Sequence, residues 1–286
     1  MSTSMPEVVS TVADLRRRIG VWRQAGETVA LVPTMGALHA GHLSLVSLGQ
    51  RRCRRTVTSI FVNPTQFAPT EDFSKYPRTF DDDCAMLGRV GCDLVWAPTA
   101  PVMYPEGFAT RVVPAGAAEG LETDFRPHFF GGVATVCSKL FLQTGADVAV
   151  FGEKDYQQLC VIRQVVRDLD MPVEILGGPT VREPDGLAMS SRNRYLSPDQ
   201  RARAVVIHDV IRGVAAAAAT GGHEAAIAEG EKALAAAGFR QIDYVTVRDA
   251  ETLKAWHHGS GRPARVLAAA WLGETRLIDN VGVATA

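Results

Sequence analysis

Short apolar, β-branched runs alternate with segments of helical periodicity through the first two-thirds of the chain. The runs "TVALVPT" (28–34), "TVTSIFVN" (56–63), "DLVWAP" (93–98), "VAVFG" (148–152) and "PVEILGGP" (172–179) predict strands. Helices are predicted between and after them, at 41–52, 81–91, 133–144 and 156–168. Continuous apolar runs, as opposed to alternating ones, mark strands buried on both faces. Their alternation with helices implies an α/β fold: a doubly wound, Rossmann-like parallel sheet covered on both sides.

After about residue 197 the pattern changes. "SPDQRARAVVIHDVIRGVAAAAAT" opens on a serine N-cap with proline at the first helical position, and runs into Gly221-Gly222. Its alanine run at 215–219 belongs in helix, because alanine is the best helix former. A second helix is expected over 224–236. "DYVTVRD" and "RVLAAAWLGETRLIDNV" read as strands, the second turning back at Gly273-Glu274. The chain is thus expected to divide into a Rossmann-like domain at 1–180 and a second, smaller α+β domain at 181–286, the latter serving as a lid.

Composition changes this picture little. The 286 residues are 47% hydrophobic and 21% charged, with a formal net charge of -1. That suits a large buried core and supplies no global basic field for nucleic acid or an anionic membrane. The run "QRRCRR" at 50–55 reads as the solvated, cation-rich end of a helix, where positive charge suits the dipole. The stretch "MSTSMPEVVSTVADLRRR" lacks an apolar signal core, and no run reaches the roughly 18 residues of a spanning helix. Cys53, Cys84, Cys92, Cys137 and Cys160 are scattered without a C-x-x-C pair. They read as free thiols packing as small hydrophobes in a reducing compartment. A soluble, cytoplasmic protein that binds neither nucleic acid nor membrane is expected.

The candidate chemistry lies in loops that follow predicted strands, where doubly wound sheets bind ligands. "PTMGALHAGH" breaks the first strand at Pro33 and places His39 and His42 at a helix start. The pair could be metal ligands, catalytic groups or structural residues. Free N–H groups and the dipole at that start favour an anion and would tend to keep the imidazoles neutral. Small residues at Gly36, Ala37, Ala40 and Gly41 would let a phosphate or purine approach the backbone. Neither a Walker A loop nor G-x-G-x-x-G is present. "IFVNPTQF" supplies Asn63 and Gln66, which read as turn residues or as donors to a small polar acid. "FGEKDYQQL" supplies Glu153, Lys154, Asp155 and Gln158, read as a charged turn or as a triphosphate and Mg²⁺ or ribose site. "MSSRN" offers Ser190, Ser191 and Arg192, suited to polyphosphate, although the serines could simply cap a helix. The loop at 71–83, with Lys75, Tyr76 and Arg78, is either an exposed connection or a lid.

Together "PTMGALHAGH", "IFVNPTQF", "FGEKDYQQL", "MSSRN" and the terminal "RLIDN" resemble the pantothenate synthetases (pantoate–β-alanine ligases), in that family's order and over nearly the whole chain. The wider group with an H-x-G-H nucleotide site includes class I aminoacyl-tRNA synthetases and small nucleotidyltransferases. The resemblance implies ATP-dependent condensation of pantoate with β-alanine through a pantoyl adenylate, releasing AMP and pyrophosphate. It implies an ATP site of Met35, Gly36, Ala37, Leu38, His39, Ala40, Gly41, His42, Gly152, Glu153, Lys154, Asp155, Val181, Met189, Ser190, Ser191 and Arg192. Among these His42 is the proton donor, His39 a second phosphate contact, and Lys154 and Arg192 the charge-neutralising groups. Gln66 and Gln158 would hold pantoate, Gln66 would also place β-alanine, and Asn63 and Tyr76 would lie near the second substrate and in the lid. Mg²⁺ would bind mainly through ATP phosphates, with Asp155 as a further ligand, and the chain would form a homodimer. A nucleotidyltransferase that keeps its adenylyl group and a non-catalytic nucleotide sensor are the rival readings.

Overall fold

In the computed structural model, which describes residues 5–67 and 72–284, the apolar runs pair into one parallel sheet. The elements are β1 (Glu7–Val9), α1 (Val12–Gln24), β2 (Val29–Thr34), α2 (Ala40–Gln50), β3 (Arg55–Ile60), α3 (Phe80–Arg89), β4 (Leu94–Trp96), α4 (Ala100–Met103), α5 (Glu122–Phe125), α6 (Phe129–Thr144), β5 (Val148–Gly152), α7 (Tyr156–Asp168) and β6 (Glu174–Gly178). The six strands lie in the order β1-β4-β3-β2-β5-β6. Every neighbouring pair is parallel. Val29 to Val32 of β2 are wholly buried, as a central strand covered on both faces requires.

Two elements at the start were not anticipated. β1 is a three-residue edge strand, too short to carry a period. In α1, Leu15, Ile19 and Trp22 recur at helical spacing and are buried, and the Thr11 side chain accepts from the Asp14 N–H at 3.1 Å as N-cap. That pattern was readable but sits among arginines. The basic run behaves as expected at Arg51, Arg52 and Arg54, which are exposed beyond the end of α2. Arg55 differs. Its guanidinium meets Glu27 at 2.7 Å and Asp93 at 2.8 Å, so the first residue of β3 is neutralised within the fold.

A second compact unit comprises Lys154–Cys160 and the chain from Thr180 onwards, while Val161–Pro179 belongs with the sheet just described. Its further elements are α8 (Pro198–Ala204), α9 (Val206–Ala218), α10 (His223–Ala236), β7 (Phe239–Asp249), β8 (Ala264–Leu272) and β9 (Thr275–Gly282). Ser197 and Gln200 form a reciprocal capping box at the start of α8. The single helix expected here is interrupted at Val205, where the His208 N–H bonds back three residues to the Val205 carbonyl at 2.8 Å. The three strands are antiparallel in the order β7-β8-β9, with β8 and β9 joined through Gly273-Glu274. Ile207, Ile211 and Val214 of α9 share a core with Val266, Ala268 and Ala270 of β8. The small alanines let helix and sheet approach closely.

All five cysteines are free and buried, and burial pushes the Cys137 thiol up to about 12. Among the described residues, no helix is long and apolar enough to cross a membrane.

Candidate active site

The chain leaves β2 towards β3 and β4 and later returns to its other side through β5 and β6. Strand order therefore reverses between β2 and β5, where doubly wound sheets open a ligand crevice at their carboxyl ends. The two strands pair only at Ala30 with Val148 and Leu31 with Ala149. Beyond those pairs, Thr34 leads into the 35–42 turn, and Gly152 ends β5 with Glu153 directly after it.

The 35–42 turn is held from beneath by a residue that sequence reasoning did not single out. Asp83, 1% exposed near the start of α3, accepts the N–H of Ala37 at 2.9 Å and of Leu38 at 2.8 Å. Thr79 donates its hydroxyl to the same carboxylate at 3.2 Å. Gly36 has φ +82°, and a β-carbon there would come within 3.0 Å of Asp83 Oδ2, so glycine is required twice over. Ala37 also has positive φ, +51°.

His39 is the N-cap of α2, and its Nδ1 accepts the Gly41 N–H at 3.2 Å. Reciprocally, His42 Nδ1 accepts the His39 N–H at 3.3 Å, and the two rings lie 4.1 Å apart. A backbone N–H can only donate, so each Nδ1 presents its lone pair. Each neutral imidazole therefore carries its proton on Nε2. The structure thus shows the pair in a structural role at the start of α2, each ring capping the helix through its Nδ1.

The turn after β3 is organised by Asn63, 1% exposed. Its Oδ1 accepts from the Tyr104 hydroxyl at 2.7 Å and from the Thr65 hydroxyl at 3.0 Å. Its Nδ2 donates to Gln66 Oε1 at 2.9 Å and to the Gly132 carbonyl at 3.3 Å. Asn63 thereby fixes which end of the Gln66 amide is the acceptor. Burial pushes the Tyr104 hydroxyl above its usual value, against the hydrogen bonds with Thr65 and Asn63. Gly132 near the start of α6 lets this turn pack closely, since a β-carbon there would lie 2.4 Å from the Thr65 carbonyl oxygen. Tyr104 and Gly132 were likewise not foreseen, because neither shows a local motif.

Tyr76, buried, joins Ala37 and Phe67 in a small apolar cluster with Met35 and Phe73 packed against it. Its ring stands edge-on to Phe67, with centroids 5.9 Å apart. Part of the 71–83 loop thus lies against the histidine turn, while Glu71 is outside the described residues.

In the second unit, Lys154 is largely buried, with Nζ 3.8 Å from Asp155 Oδ1. Gln158 follows on the first turn of α7 and is partly buried. Val181 and Met189 are brought together by a hairpin, the Met189 N–H donating to the Val181 carbonyl at 3.0 Å. Ser190 then caps the turn holding Arg192, its Oγ accepting the Arg192 N–H at 3.3 Å. Ser191 is buried. Capping thus accounts for Ser190.

No three His, Cys, Asp or Glu side chains among the described residues are grouped to hold a metal ion. Mg²⁺ commonly keeps only one or two carboxylates and takes its remaining ligands from phosphate and water. The exposed Asp155 carboxylate fits that limited role.

The family model for pantoate-β-alanine ligase matches residues 7–282. The chain belongs to this family. Among members of the family, the pantothenate synthetase of Mesorhizobium japonicum is 57% identical over 284 residues, 99% of this chain and 100% of that protein. That of Caulobacter vibrioides is 56% identical, covering 97% of this chain and 99% of its own length. A crystal structure of pantothenate synthetase from Thermus thermophilus matches with TM-score 0.91 and 47% identity, over 97% of this chain and 99% of that one. Pantoate-β-alanine ligase from Francisella tularensis, complexed with β-γ ATP and β-alanine, matches at TM-score 0.80 and 29% identity, over 98% and 99% of the two chains.

Proposed function

We propose that this pantoate–β-alanine ligase family member condenses (R)-pantoate with β-alanine at the expense of ATP. In the first half-reaction a pantoate carboxylate oxygen attacks the α-phosphorus, and the bond to pyrophosphate breaks. In the second, the β-alanine amine attacks the acyl carbon, AMP leaves with the acyl oxygen, and the amine loses a proton to solvent. The observation that carries this reading is the histidine pair after β2, locked as two Nε2–H donors at the strand-order reversal.

Pantoate is an anion at neutral pH, so the first step needs no general base. It needs charge neutralised on the phosphates. Residues 35–42 accept the nucleotide, with His42 donating from Nε2 to the departing phosphate oxygens and His39 beside it. Gly152, Glu153, Val181, Met189, Ser190 and Ser191 complete the ATP contacts, while Lys154 and Arg192 supply positive charge. Mg²⁺, held by the phosphates with Asp155, adds Lewis-acid stabilisation when bound. Gln66 presents Nε2 to pantoate and later to β-alanine, since Asn63 occupies its Oε1. Gln158 is the second pantoate contact. Tyr76 and its loop exclude water, which would hydrolyse the acyl adenylate.

The first unit carries Gln66 and the histidine grip, and the second, which includes Lys154–Cys160, contributes phosphate contacts and Gln158. The working form is a homodimer in the cytoplasm, its mass checked by sedimentation. Isotope exchange between pyrophosphate and ATP tests the two-step scheme. Exchange is expected with pantoate alone, before β-alanine is added. Exchange that does not depend on pantoate overturns the scheme, and a stable adenylylated product with no amide would point to a nucleotidyltransferase.

A further inference from the structure

We propose that Asp279 and Asn280, neighbours on the last strand, are positioning residues that hold the ATP-contacting segments of the C-terminal unit in register. The proposal rests on the ATP role given above to Lys154, Val181 and Met189 through Arg192. Asn280 is 3% exposed, and its Nδ2 donates to the Lys154 backbone carbonyl at 2.8 Å. Its Oδ1 accepts from Arg265 Nε at 2.5 Å. An arginine can only donate, so this contact fixes the amide with its Nδ2 towards Lys154. The Arg265 guanidinium also lies 3.8 Å from the ring centroid of Tyr156, whose hydroxyl donates to the Ala250 carbonyl at 2.8 Å. The chain at Lys154 is thus held through its backbone and, two residues on, through a ring.

Asp279, 2% exposed, holds the other segment. It accepts from both terminal nitrogens of Arg182, at 2.6 and 3.0 Å. Arg182 also donates to the Gly186 carbonyl at 3.0 Å, spanning the turn of its own hairpin, and faces Ala188 across that hairpin. Val181 and Met189 flank this bridge, and the chain passes directly into Ser190 to Arg192. Successive strand residues point to opposite faces of a sheet. One dipeptide of β9, registered on Leu267 and Ala268 of the central strand, therefore reaches both segments. Replacing such a buried ion pair with apolar residues is often neutral or stabilising. What Arg182–Asp279 supplies that an apolar pair would not is a single geometry.

The test compares Asn280→Ala and Asp279→Asn with wild type in the two half-reactions. In pyrophosphate–ATP exchange, kcat/KM for ATP is expected to fall roughly 10- to 100-fold, mainly through KM. Ligation of chemically prepared pantoyl adenylate to β-alanine should stay within about threefold. A purely structural role would lower both half-reactions together with the folded fraction, and that result overturns the proposal, as does no change in either. If Asn280→Ala does not fold, Asn280→Asp keeps the acceptor for Arg265 and replaces the donor to Lys154 with an oxygen that repels its carbonyl, so the same comparison is made with it. If wild type shows no pantoate-dependent exchange, the proposed function fails, and direct titration with ATP decides the positioning role. Weaker ATP binding by the variants supports it, and equal binding overturns it.

Discussion

At the residue scale the candidate site turns on two imidazoles used from both ends. His42 Nδ1 receives the His39 N–H, so the ring is oriented by the backbone it caps, and Nε2 is the atom to which the proposed function gives the donor role. His42→Ala should lower kcat for pyrophosphate–ATP exchange by roughly 10² to 10⁴-fold. His42→Asn keeps an acceptor near the His39 N–H but loses the Nε2 donor. A similar loss in both variants assigns the effect to Nε2, whereas near-normal activity in His42→Ala reduces His42 to packing. Asp83 is the second residue to probe. Asp83→Asn turns an NH₂ group towards the N–H of Ala37 or Leu38, leaving one buried donor unpaired at about 1–3 kcal/mol. A lower melting temperature and a roughly tenfold or greater drop in exchange are expected, measured by thermal unfolding and steady-state rates. The histidines were legible in the sequence because they follow a strand and carry their chemistry locally. Asp83 was not. It lies far along the chain, and an acid in the first turn of a helix ordinarily reads as a partner for the dipole.

At the scale of elements, the strands β2, β3, β5 and β6 and the helix α7 were readable, because buried parallel strands leave uninterrupted apolar runs. What the pattern does not carry is how closely two elements approach. The start of α6 meets the 63–66 turn through Gly132, and nothing in "FFGGVATV" signals that contact. Gly132→Ala would force a β-carbon against the Thr65 carbonyl. Such overpacking typically costs about 1–3 kcal/mol. Because the same turn orients Gln66 through Asn63, KM for pantoate should rise several-fold while KM for ATP changes little. A variant with normal stability and normal KM for pantoate would show that the turn adjusts without consequence.

At the scale of the whole molecule, charges nearly cancel, with 30 basic and 31 acidic side chains, and the buried carboxylates of Asp249 and Asp279 are held by specific cations. Asp249 is kept well below the usual carboxylate range by Arg262, against the effect of burial, with the Thr252 and Glu251 N–H groups adding to it. At Asp279 burial acts first and upward, yet His208 and Arg182 leave the group lowered overall. A carboxylate with a depressed folded pKa stabilises above its unfolded value, about 3.9, and that stability is lost as pH falls towards the folded pKa. The melting-temperature gap between wild type and Asp249→Asn should therefore be constant from pH 7 to about 5 and narrow below about pH 4. A gap that widens in acid would contradict the assignment.

The unit boundaries bear on how such a chain can be recombined. Lys154–Cys160 is encoded amid the first unit yet packs with the second, where Asn280 holds the Lys154 carbonyl and the Ala250 carbonyl holds the Tyr156 hydroxyl. A chimaera joined near residue 180 would take these seven positions from one parent and their anchors from the other. Neither unit is a cassette that can be exchanged intact. Crossovers between relatives should succeed only where both parents agree at this inserted segment, so it must be inherited with the tail of the chain and not with its neighbours.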